Sequence, residues 1–199
     1  MPLAQAVPYD FTASGTLVGA LFRPREVFSE LKPGPAARAV KLTALYLALP
    51  AVAAVLTDDD LSLEPVNALV RGFMIWSFGT LWAFGPQAFL FRQTMRLFGS
   101  DRPLSLAQHG MAAFSALLAV FGVVLSIAGM RPESAPFVIT WYLSLVAVVV
   151  LGFHALFRLA EGAYALPTGK AVGAVLVFMF VHAIALTVAL GVLFTIVSP

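Results

Sequence analysis

Residues 39–57, 69–91, 104–129, 135–159 and 171–197 form five almost wholly apolar runs, and no other feature of the chain restricts its fold as strongly. Wound as a helix rising about 1.5 Å per residue, some 20 such residues cross a hydrocarbon layer roughly 30 Å thick. The longer runs span it with tilt. None alternates apolar and polar residues as a lipid-facing barrel strand must. Between the runs stand polar or turn-forming links, TDDDLSLEPVN, RQTMRLFGSDRP, MRPES and EGAYALPTGK, short enough to make successive helices antiparallel neighbours. The expectation is an all-α polytopic integral membrane protein with five transmembrane helices in one bundle (39–199), preceded by a cytoplasmic tail (1–38).

Composition agrees. With 60% hydrophobic and 11% charged residues the chain lies far outside the soluble range, and little of its 199 residues is left for a separate soluble module. A net charge of +2 gives no reason to expect nucleic acid. Without cysteine there is no disulfide, thiolate nucleophile or Cys-based metal site. The opening MPLAQAVPYDFTASG has neither a basic head nor a continuous apolar core, so it does not read as a cleavable signal peptide.

The basic residues supply orientation, because Lys and Arg collect on the cytoplasmic side. Arg23, Arg25, Lys32, Arg38 and Lys41 precede the first run. Arg92, Arg96 and Arg102 follow the second, and Arg158 and Lys170 flank the link after the fourth. Only Arg71 and Arg131 fall on the other side, together with Asp58, Asp59, Asp60, Glu64 and Glu133. The N-terminus is expected in the cytoplasm and the C-terminus outside, in a bacterial plasma membrane.

Ahead of the first run lies GALFRPREVFSELKPGPAARAVK. Pro24 suits the first turn of a helix that Pro33 and Pro35 end, with Val27, Phe28 and Leu31 on one face. Arg23, Arg25 and Lys32 stay near the polar side. Such a helix fits an interfacial position, with Phe28 and Leu31 in the headgroup boundary and the cations near anionic lipid. It fits equally a cytoplasmic helix packed on the ends of the spans.

LFRPREVFSEL followed by a Pro/Gly break, five runs in all, Trp141 opening the penultimate run in WYLSLVAVVVLGFHALFRLAEG, and then GKAVGAVLVF together resemble the prokaryotic branch of the Yip-domain family over most of the chain. The resemblance implies a five-span helical bundle with a cytoplasmic N-terminus. Eukaryotic relatives of similar fold act in vesicle traffic beside Rab-type small GTPases. Their Asp-Leu-Tyr-Gly-Pro element near the first span is missing here, with FGP at residues 84–86 the one approximation, and so is their long cytoplasmic tail. The resemblance carries the fold and not the GTPase partner.

Chemistry at membrane depth needs polar residues, which cost several kcal/mol to bury unless partnered or hydrated. His154, Arg158 and Glu161 stand at i, i+4 and i+7 on one helical face, and His109 enters the third helix from the same side. Together they suggest a polar site open to the cytoplasm for a lipid phosphate, proton or ion. The structural alternative has Arg158 and Glu161 marking a helix end and the histidines bonding between helices. His182 falls nearer the midplane. No His-x-x-x-His pair, Gly-x-Ser-x-Gly elbow, His-Glu-x-x-His or phosphate-binding glycine loop is present, so neither an enzyme, a metal nor a cofactor is expected. Two functions remain: a scaffold for membrane-protein partners, a second copy of itself or lipid, and a small transporter or channel-like subunit.

Overall fold

A computed structural model of the chain describes residues 13–57, 64–129 and 134–197; Asp58, Asp59, Asp60, Arg131 and Glu133, expected on the outer side, lie outside the described residues. Every regular element described is helical: α1 (Ala13–Phe22), α2 (Pro24–Ser29), α3 (Ala36–Leu56), α4 (Pro65–Trp82), α5 (Ala88–Leu97), α6 (Leu104–Gly129), α7 (Ala135–Arg158) and α8 (Thr168–Val197). A π-helical turn, Ala83–Gln87, joins α4 to α5, and a second, Leu159–Ala163, prolongs α7. Proline opens α2, α4 and α7, where its missing N–H would have had no helical partner.

Four segments are long and apolar enough to cross a bilayer: Ala36–Leu56, Leu104–Ala128, Ala135–Ala163 and Thr168–Val192. The run at 69–91 is not among them. It is divided between α4, which carries Asn67, Arg71, Ser77 and Thr80 among its 18 residues, and the π turn around Pro86. A five-residue hydrogen-bond ring absorbs the proline, whose ring nitrogen has no proton to give an α-helical carbonyl.

The bundle is built around α6. Half of its most apolar window is buried, against 11% in the corresponding windows of α7 and α8. The sequence explains the choice: Ala107, Ala112, Ala113, Ala116 and Ala119 are all buried, and small side chains let neighbouring backbones approach. The broadest contact of α6 is with α3, followed by α7. Where α3 carries Pro50, α6 answers with Gly122, and a Cβ there would lie 2.7 Å from the proline Cβ. Dispersion between closely packed surfaces, rather than expulsion from water, stabilises such contacts in lipid.

The N-terminal helices pack on the protein. Val27 and Phe28 are fully buried on α2, which packs against α7 and its π turn, and Leu31, just beyond α2, is nearly so beside His109 and Ala113 of α6. This corrects the expectation that Phe28 and Leu31 meet lipid: the apolar stripe of α2 is spent on the bundle, and Gly162 leaves room for Ser29 to sit directly over it. Arg23, Arg25 and Lys32 remain exposed.

Three basic segments meet at this end. Ser100 Oγ donates to the Tyr164 carbonyl at 2.5 Å, tying the α5–α6 connection to the α7–α8 connection. Arg92 Nε donates to the Arg102 carbonyl at 2.9 Å, and Arg92 and Arg96 each approach Asp101 Oδ1 at 3.3 Å.

Candidate functional site

Arg158 and Glu161 form the centre of the expected cluster. Arg158 is the last residue of α7, and the π turn brings Glu161 back beneath it, with Nη1 donating to Oε2 at 2.8 Å. Glu161 Oε1 also accepts from Thr168 Oγ1 at 2.9 Å, so one carboxylate fastens the end of α7 to the start of α8. Both charged side chains are about a quarter to a third exposed, the guanidinium lies 5.4 Å from the Phe157 ring centroid, and Arg158 Nε is buried without a partner. Partial exposure keeps the pair's net value small, about 0.2–1 kcal/mol.

The histidines do not join it. His109 Nδ1 donates to the Ser105 carbonyl one turn earlier at 2.8 Å, and the ring edge faces Gly34, on the connection between α2 and α3. No hydrogen bond links it to Arg158 or Glu161. His154, one turn before Arg158, makes no hydrogen bond among the described residues. Of the four, hydrogen bonding joins only Arg158 and Glu161 to each other. His109 and the ion pair face different neighbours across α6, where Leu159 packs over Gly110.

A second polar locus escaped the sequence reading. Trp82 Nε1 donates to His182 Nε2 at 2.9 Å, across the bundle from the end of α4 to the middle of α8. The acceptor role of Nε2 places the ring proton on Nδ1. Phe178 stacks on His182 at 5.4 Å between centroids and meets Phe91 edge-on at 5.0 Å, and Phe91 meets Tyr164 edge-on at 5.5 Å. An aromatic column thus runs from the basic end to mid-bundle. Beside it lies a cavity of about 470 Å³, lined by Trp82, His182, Ser115, Phe114 and the buried Gln87 of the π turn. At the column's basic end, burial pushes the Tyr164 phenol well above its ordinary range, with nearby Arg92 pulling the other way. Its hydroxyl has no partner.

Among the described residues no group of three or more His, Cys, Asp or Glu side chains is placed to hold a metal ion. No protein-family model matches the chain, and neither a curated protein nor a solved structure matches it.

Proposed function

We propose that the chain is a five-span membrane protein of the Yip-domain type that serves as a non-enzymatic scaffold, gathering a membrane-protein partner or a second copy of itself. The continuous helix from α4 through α5 is the fifth span. The convergence of the three basic segments on one end supports a cytoplasmic N-terminus, with the C-terminus outside. On this reading α1 and α2 form a collar at the inner headgroups. Exposed Arg23, Arg25 and Lys32 address anionic lipid, while α2 braces the spans.

One observation carries the scaffold reading. The outer faces of α7 and α8 stay apolar and unburied, and on α8 Ala183, Thr187 and Gly191 stand exposed four residues apart. Small residues at that spacing let a second helix approach closely in lipid. Isolation in mild detergent with mass spectrometry tests it. Recovery of a stoichiometric protein, cross-linked through cysteines placed at Ala183 or Thr187, is expected. Recovery of only lipid or an ion defeats it.

The transporter or channel-like alternative draws on the Trp82–His182 cavity, where a π turn breaks the helix at membrane depth. It predicts substrate-dependent flux in proteoliposomes that changes with Gln87→Leu.

A further inference from the structure

Two buried polar atoms without a hydrogen-bond partner belong to residues that line one and the same space. Thr16, on α1, is 2% exposed and its Oγ1 has no hydrogen-bond partner; His109 Nε2, on α6, is buried and equally unpartnered. Both residues line a cavity of about 170 Å³ between α1, the α2–α3 connection, the start of α3 and α6. Lys32 and Arg38 line it too, and Leu31, Leu42 and Ala113 supply apolar wall.

A buried hydroxyl or imidazole nitrogen left without a partner forfeits the hydrogen bonds that water gave it. Two of them on residues that line one space suit that space to a polar occupant. Its volume far exceeds the roughly 10–15 Å³ that a single water requires. Among the described residues the side chains that line it carry one ammonium, one guanidinium and no carboxylate.

We propose that this cavity is a phosphate site at the inner membrane surface, taking either the headgroup phosphate of an anionic lipid or a free phosphate. Thr16 Oγ1 donates one hydrogen bond. His109 Nδ1 is held as the N–H by the Ser105 carbonyl, so a single proton lies between Nε2 and a phosphate oxygen, brought by an imidazolium or by the P–OH of a monoanion. Lys32 and Arg38 supply the countercharge. Gly34 is required for access, since a Cβ there would lie 2.8 Å from His109 Nε2 and push the ring aside. The site stands independently of the scaffold role, because it is built from the collar, the start of α3 and α6 and uses neither α7 nor α8.

The test uses delipidated full-length protein in detergent and reads the shift in melting temperature with three probes: inorganic phosphate, dioctanoyl phosphatidic acid, and dioctanoylglycerol, which has the same chains and no phosphate. A saturable rise with phosphatidic acid alone assigns the site to lipid. A rise with inorganic phosphate assigns it to the free anion, and either result supports the proposal provided dioctanoylglycerol is inert. Thr16→Val melts like the parent without ligand, having no hydrogen bond to lose, yet weakens binding about tenfold. Gly34→Ala and His109→Gln weaken it at least as much, and the effect of Lys32→Gln fades with added salt. No response to either phosphate probe, an equal response to dioctanoylglycerol, or parental affinity in both Thr16→Val and Gly34→Ala overturns the proposal.

Discussion

The indole N–H of Trp82 and the imidazole Nε2 of His182 meet at 2.9 Å although 100 positions separate them in the chain. The bond binds the end of α4 to α8, two helices otherwise brought together mainly through α5.

Breaking that bond from the donor side leaves an imidazole acceptor at membrane depth with nothing to accept from. Trp82→Phe is expected to cost about 0.6–1.7 kcal/mol in a reversible detergent unfolding assay. Adding His182→Leu to it removes the orphaned acceptor and recovers part of the loss. Strict additivity of the two changes would show that the contact carries no energy.

Arg158→Ala removes one partner of a partly buried pair. Glu161 keeps Thr168 but loses its countercharge, so we expect a loss of roughly 1 kcal/mol, exceeding what the pair itself contributes. The double variant with Glu161→Ala recovers part of it. Parental melting of Arg158→Ala would mean that the Thr168 contact alone holds the end of α7 to α8.

Tyr164 gives a pH dependence whose sign is fixed. Its folded pKa lies above the ordinary phenol value near 10, so the folded state holds a proton that the unfolded chain releases. This stability is fully present below about pH 10 and declines as pH rises above it. Tyr164→Phe is expected to flatten that alkaline limb. It costs nothing at neutral pH, because the hydroxyl it removes has no partner. A variant that melts several degrees lower at pH 7, with the alkaline limb unchanged, would contradict this.

Gly162 and Gly169 are neighbours in sequence with opposite tolerance. A methyl at Gly162 collides with the backbone and side chain of Ser29, so Gly162→Ala should displace α2 at a cost of about 1–3 kcal/mol. Nothing lies within 4 Å of the corresponding position at Gly169, in the first turn of α8, and Gly169→Ala should be neutral or slightly stabilising. Equal melting of the two variants would refute the docking of α2.

Orientation can be read with an impermeant maleimide on intact cells, because the chain has no native cysteine. Ser100 is unsuitable, being buried with its hydroxyl on Tyr164, so exposed Arg102 and Lys170 serve for the inner side and Asn67 for the outer. Asn67→Cys should label directly, and Arg102→Cys and Lys170→Cys only after permeabilisation. The reverse pattern inverts the topology.

The helical runs were legible because apolar length is a local property, recorded residue by residue. The amphipathic stripe of α2 was legible too, but its destination was not: Val27, Phe28 and Leu31 would look the same facing lipid or protein. Spacing groups His109 with Arg158 because it gives depth along a helix. The turn about the helix axis that points its ring at Gly34 depends on how α6 sits among its neighbours. Trp82 and His182 left no local mark, since only closure of the whole bundle juxtaposes them. The second run breaks at Pro86, and the form of the break, a π turn packed against α6, belongs to the folded bundle.

The broad seam between α3 and α6 also sets an order of events at the ribosome. α3 leaves the exit tunnel first, yet its main partner follows only after α4 and α5. At roughly 5–20 residues per second the wait lasts on the order of seconds. During that interval the face of α3 holding Thr43, Tyr46 and Pro50 has lipid, the insertion machinery or an attendant chaperone for company, and a chain halted before Leu104 would be left with that face bare.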